Sequence, residues 1–273
     1  MSRAVDGGPP PAEFVPVPSQ GRVYTADYRV RLGDVAPTGR ARLDALARYL
    51  QDAAEDDAAD AQWPASIGWV VRWTKINVRQ YPVLGEQFRA ETFCSATGPR
   101  WAERTTVISG SEGACVLACA AWVAVSTLSG RTVDVGELFE RVYAPSAGRR
   151  RASVRLHLEA PTPEVVARAR PWPLRGSDFD AQGHLNNVVS WVAVEDELSS
   201  TGWLPSRAEV EYNEAIFAAM SPRLVARSTD VSMDVWLLDG ERPLTSAHIE
   251  RSLGDRDRGL VPPLPRSTND PSC

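Results

Sequence analysis

Residues 171–198 read PWPLRGSDFDAQGHLNNVVSWVAVEDEL. The opening is polar and rich in turn formers, and from Leu185 onward the apolar residues Leu185, Val188, Val189, Val192 and Leu198 fall on one helical face. Segments of strand character follow: SRAEVEYNEAI (206–216), PRLVARSTDVSMDVWLLDG (222–240) and PLTSAHIERS (243–252). Pro222, Asp239-Gly240 and Pro243 mark the turns between them. A helix entered through a polar turn and followed by an antiparallel meander makes one α+β unit.

The same programme runs earlier in the chain. VRLGDVAPTGR (30–40) leads into a helix on which Leu43, Leu46, Ala47, Leu50, Ala53, Ala54 and Asp57 recur at helical spacing. After Pro64 come GWVVRWTKINV (68–78), EQFRAETFCSATG (86–98), WAERTTVIS (101–109) and ACVLACAAWVAVSTLSGRTV (114–133). The chain is therefore expected to form two α+β units, residues 22–143 and 171–253, joined by a basic linker over 144–170. Residues 1–21 and 254–273 are Pro-rich and polar, and too poor in burial to repay ordering, so they are expected to be flexible tails.

Composition narrows the function classes. Of 273 residues, 43 % are hydrophobic and 24 % charged, and no apolar run approaches the roughly 18 residues of a membrane span. A net charge of −5 argues against phosphate-backbone binding and so against nucleic acid as a partner. The cysteines Cys94, Cys115, Cys119 and Cys273 form neither a disulfide framework nor paired zinc motifs, and Pro9, Pro10 and Pro11 stand where a secretory signal would carry its apolar core. A cytoplasmic protein is expected. With no P-loop, dinucleotide motif or metal cluster in the sequence, no cofactor is expected.

The run SDFDAQGHLNNVVSWV (177–192) resembles the signature of acyl-acyl-carrier-protein (acyl-ACP) thioesterases, in which an aspartate, an asparagine, a histidine and an Asn-Asn pair open the second helix. RYLQDAAEDDA (48–58), residues 68–108 and VEYNEAIF (210–217) resemble the family's first helix, its long strand-turn-strand and its distal glutamate strand in order and spacing. The resemblance covers roughly residues 22 to 253. It implies two tandem hotdog domains, each an antiparallel sheet wrapped around a long helix, with an acyl pocket shaped by the first and a hydrolytic site carried by the second. It also implies acyl carrier protein as partner. The alternatives are a related hotdog enzyme acting on polyketide-like or CoA thioesters, as thioesterase or dehydratase, and a non-catalytic acyl-binding module. Either a monomer with an internal pseudo-dimer or a homodimer fits.

Thioester hydrolysis needs a base or nucleophile and donors for the developing oxyanion. On the resemblance, Asp180 is the nucleophile or general base, His184 the acid/base or carbonyl-orienting group, and Gln182 an amide donor. Gln182 departs from the family's asparagine by one methylene. If the backbone is already helical there, Asp180 and His184 project from one side, beside the N–H groups of a helix start. Asn186 and Asn187 are expected at the substrate, one of them chiefly holding the turn. The distal carboxylate is assigned to Glu214, one residue earlier than the family spacing, so that strand alternation turns it to the wrong face unless a bulge absorbs the offset. Glu211 is the fallback. No cysteine adjoins Glu214, which disfavours a Cys-His mechanism, and Cys94, Cys115 and Cys119 read as buried strand residues.

Asp57 falls on the apolar stripe of the first helix. It is expected to point into the substrate pocket, with an arginine partner or a frayed helix end as the other readings. His157 and His248 read as structural or surface groups. Trp69, Trp73, Trp101 and Trp122 sit on expected strands, with one or two lining the acyl tunnel. Residues 149–172 carry six arginines against two glutamates, and Arg149, Arg150 and Arg151 are the expected docking cations for an acidic carrier protein.

Overall fold

The computed structural model describes residues 14–251; the expected tails, residues 1–21 and 254–273, lie outside them except for residues 14–21, where Phe14 packs on the sheet. In order the elements are β1 (Tyr24–Arg29), α1 (Leu43–Asp60), β2 (Ile67–Gln80), β3 (Gln87–Thr97), β4 (Trp101–Gly110), β5 (Cys115–Ser126), α2 (Gly136–Val142), α3 (Ala144–Ala147), α4 (Pro163–Val166), β6 (Arg170–Pro171), α5 (Asn187–Ser199), β7 (Pro205–Tyr212), β8 (Arg223–Ser228), β9 (Ser232–Asp239) and β10 (Arg242–Arg251). The strands form one antiparallel sheet of ten, in the order β1-β3-β4-β5-β2-β7-β10-β9-β8-β6.

The sheet is two meanders fused edge to edge. β2 of the first half pairs with β7 of the second, from Trp73 opposite Glu211 to Asn77 opposite Arg207, so neither inner edge is left open. α1 and α5 pack on each other and on one face of this sheet, where Leu43, Leu46, Trp191, Val194 and Leu198 share a core with Ile76, Ala208 and Val210. Arg40 locks the helices together through a two-pronged pair with Glu195, at 3.0 Å on each arm, while the same carboxylate accepts the Leu43 N–H at the start of α1.

Residues 152–159 cross the opposite face. Trp101 donates its indole N–H to Ala152 O and Trp73 to Ser153 O, and Trp236 holds Glu159 O. Phe14, Val154 and Leu156 pack there on Trp73, Cys119 and Ala121. Glu211, fully buried, accepts the backbone N–H of His157 at 2.6 Å and of Leu158 at 3.2 Å. This pins the linker to the strand that joins the halves.

Candidate active site

The polar stretches that precede the two helices share one backbone plan. In the first half Ala36 N donates to Arg40 O (2.8 Å), Gly39 N to Ala36 O (2.8 Å) and Arg42 N to Asp34 O (2.9 Å). In the second, Asp180 N donates to His184 O (2.9 Å), Gly183 N to Asp180 O (3.0 Å) and Asn186 N to Asp178 O (2.8 Å). Both are tight loops closed by a glycine in the left-handed region, Gly39 at φ 84° and Gly183 at φ 78°, where a side chain would be strained. The expectation of a helix already at Asp180 is therefore corrected: the loop is a turn, and α5 begins at Asn187.

This turn decides what each motif residue does. Asp180 Oδ1 accepts the N–H groups of Gln182 (2.9 Å) and His184 (3.2 Å), so the carboxylate is fixed by its own loop. The Leu185 N–H goes to Ile216 O, and His184 pairs across to Phe217, its ring edge-on to that phenyl at 5.0 Å. These N–H groups are spent on structure and not on an oxyanion. Asn186 caps α5 by accepting the Val188 N–H at 2.9 Å and does not line the cavity, which corrects its expected place at the substrate. Asn187 does line it.

The cross-pairing of residues 184–185 with 216–217 brings Glu214 to the same wall. Asn213 N and Glu214 N both donate to Leu244 O, at 3.0 and 3.1 Å, two residues opposite one. That bulge absorbs the one-residue offset and puts Glu214 on the cavity wall; its carboxylate is exposed at the rim and pairs at 2.6 Å with Arg242, which lies outside the cavity lining. Glu211 faces the linker on the other side of the sheet with both oxygens engaged, and the fallback falls away. Arg72, which the sequence reading missed, donates to Tyr212 O (3.0 Å) and Asn213 O (3.4 Å) beside the bulge.

Asp180, Gln182, His184, Asn187 and Glu214 line a single cavity of about 510 Å³. Its other wall belongs to the first half: Gln51, Ala54, Glu55 and Ala58 from α1, Trp69, Val71, Arg72, Cys94, Ala102, Arg104 and Trp122 from the strands, and Phe139 and Tyr143. Of the four tryptophans considered, Trp69 and Trp122 face the cavity, whereas Trp73 and Trp101 hold the linker. Asp57 is not on the wall. It is 1 % exposed and holds Arg22 at 2.6 Å and Arg104 at 2.7 Å, so the arginine-partner reading replaces substrate contact. In the first-half loop, Ala36, Thr38 and Arg40 occupy the places of Asp180, Gln182 and His184, and Arg40 is committed to Glu195. Only the second loop presents a carboxylate and an imidazole to the cavity.

Burial pushes the thiols of Cys94 and Cys119 up to about 12, far from thiolate formation at neutral pH. Arg149 and Arg151 are exposed; Arg150 spends its guanidinium on Ser95 O and Ser146 O. Among the described residues, the grouping that could hold a metal is His157, Glu209 and Glu211, on the linker face away from the cavity. Glu211 there is engaged by backbone N–H groups, and the Lys75 ammonium lies 3.4 Å from Glu209.

Residues 21–143 match the family model described as the acyl-ACP thioesterase N-terminal domain. An uncharacterized protein of Mycobacterium tuberculosis is 30% identical over 205 residues, 73% of this chain and 80% of that protein. The chloroplastic palmitoyl-acyl carrier protein thioesterase of Gossypium hirsutum is 23% identical over 194 residues, 63% of this chain and 46% of that protein. Among solved structures, the 12:0-ACP thioesterase from Umbellularia californica superposes with a TM-score of 0.71 at 18% identity, covering 85% of this chain and 98% of that one. An acyl-ACP thioesterase from Bacteroides thetaiotaomicron gives 0.70 at 16%, covering 84% and 98%. These likenesses establish the double-hotdog fold.

Proposed function

We propose, for a chain that belongs to the acyl-ACP thioesterase family, that it hydrolyses acyl-ACP to a free fatty acid and the carrier thiol with Asp180, His184 and Glu214 as its acid-base groups. The observation that carries this reading is that these side chains, from two separated segments, converge on one cavity walled by both halves. The acyl chain lies between α1 and the first-half strands, and its thioester carbonyl reaches the Asp180 loop. Asp180 attacks that carbonyl or activates a water to do so, the amides of Gln182 and Asn187 donate to the oxyanion, and His184 orients the carbonyl or passes the proton to the leaving thiolate. Water and thioester give acid and thiol, with no oxidant or cofactor consumed.

Incubating the purified protein with acyl-ACP and acyl-CoA panels tests the proposal. Faster release of free acid from acyl-ACP is expected; loss of water from a 3-hydroxyacyl thioester would mark a dehydratase, and binding without turnover a non-catalytic module. No helix among the described residues is long and apolar enough to cross a membrane. The unpaired cysteines Cys94, Cys115 and Cys119 support a reducing, cytoplasmic setting, and the β2–β7 pairing within one chain supports a monomer that is its own pseudo-dimer.

Two expected results bear on the finer assignments. Gln182→Asn should keep or raise turnover, whereas Gln182→Ala should forfeit roughly 1 to 3 kcal/mol of transition-state stabilisation. Steady-state kinetics on one acyl-ACP decide it; a Gln182→Ala enzyme equal to wild type would remove the amide from the machinery. Replacing Arg149 and Arg151 by glutamine should raise KM for acyl-ACP and flatten its salt dependence while leaving acyl-CoA kinetics alone. Equal losses on both substrates would argue against carrier docking at these residues.

A further inference from the structure

An acyl pocket has no obvious use for a guanidinium, yet Arg104 stands on the wall of this cavity, its side chain 15% exposed. It lies on the core-facing side of β4, in the row Ala102, Arg104, Thr106, Ile108, the other three of which are buried. Asp57 at 2.7 Å, Thr92 Oγ1 at 3.2 Å and the ring of Tyr143 at 5.7 Å hold it in place. A guanidinium carries five N–H donors, more than these partners occupy. The amide-bearing Gln51 and the carboxylate of Glu55 line the same region from α1.

We infer that the acyl chain this enzyme releases carries a neutral oxygen, a hydroxyl or a keto group, in its distal half, and that Arg104 recognises it. The inference rests on the thioesterase reading above. Position sets the distal half: the groups proposed to react stand on the second half's loop, whereas Arg104 stands on β4 of the first half, three strand steps away along the sheet (β4-β5-β2-β7). Charge sets neutrality. Arg22 and Arg104 are matched by Asp57 and Asp60, and Glu55 on the wall repels a carboxylate. A plain alkyl chain laid here strips water from the guanidinium and returns nothing, whereas a hydroxyl or keto oxygen accepts a charge-assisted hydrogen bond.

The test compares two acyl-ACP substrates of equal chain length, one saturated and one with a hydroxyl in the distal half. A kcat/KM at least about tenfold higher on the hydroxyacyl substrate is expected for the native enzyme, and Arg104→Met should bring that ratio close to one. A native enzyme that prefers the saturated chain, or a folded Arg104→Met variant that keeps the hydroxyl preference, overturns the inference. The native comparison stands even if the variant does not fold. Binding of the two free acids, followed by tryptophan fluorescence, reads the same preference without chemistry. Failure to hydrolyse any thioester then counts against the thioesterase reading, while unequal or equal binding still decides the pocket's preference.

Discussion

Asp180→Asn is expected to lower kcat on an acyl-ACP by at least about 100-fold while leaving the fold intact. The substitution is discriminating because of what Asp180 does structurally. One oxygen, Oδ1, accepts the N–H groups of Gln182 and His184, and an asparagine oxygen can accept the same two. The turn therefore survives and only the negative charge is lost. His184→Ala should cost a comparable factor, since the imidazole side chain is on the cavity wall while its backbone pairing with Phe217 needs no ring. Circular dichroism and the thermal midpoint check the fold, and steady-state turnover checks the chemistry. A folded Asp180→Asn enzyme with normal turnover would sink the assignment.

The largest stability effect is expected at Asp57. Its carboxylate sits 1 % exposed between Arg22 and Arg104, which tie the N-terminal segment and β4 to the end of α1. Asp57→Ala leaves two guanidinium groups facing each other without their shared counter-charge, and breaking a buried pair from one side costs about 3–5 kcal/mol. Urea unfolding should show the midpoint falling accordingly. A change below about 1 kcal/mol would mean that water reaches the arginines and that the pair contributes as little as an exposed one.

The two long helices and the succession of the main strands along the chain were legible because apolar periodicity is a local signal: Leu43, Leu46 and Leu50 announce α1, and Leu185, Val188 and Val189 announce α5, whereas the short α2, α3 and α4 carry too few turns to show it. β1 was missed, a six-residue edge strand whose residues alternate only between intermediate and exposed. Local patterns also misread the motif loop. Asp180 and His184 are four apart, which a helix would bring to one side, but the positive φ of Gly183 closes a turn instead; its twin at Gly39 in the first half was the available clue. The face of Glu214 could not be read from alternation, since the bulge at Leu244 depends on a partner strand some thirty residues away. Arg104 is a different kind of miss. The alternation of Ala102, Thr106 and Ile108 puts it on the core face, so a charged residue in a buried row was visible in the sequence, though its partner Asp57 on another element was not. Asp57, Arg104 and Arg72 show the general reason: ion pairs and cavity walls are assembled between elements, and no single element carries their signature.

The repeated loop gives the chain its asymmetry. Two loops with the same hydrogen bonds precede the two helices, and only one presents a carboxylate and an imidazole, while the other uses Arg40 to bind α5 through Glu195. On the proposed function, one half would supply the reacting groups and the other the wall, an arrangement that fits a long acyl chain entering from the carrier and lying across both.

Thiol release tests the thioesterase assignment most directly. Native protein and Asp180→Asn are each mixed with one medium-chain acyl-ACP, and free carrier thiol and free acid are measured over many turnovers. Equal molar release of both products by the native protein is expected, and release at least about 100-fold slower by the variant. Native protein that binds acyl-ACP and releases neither, or a variant that releases both at the native rate, would contradict the assignment.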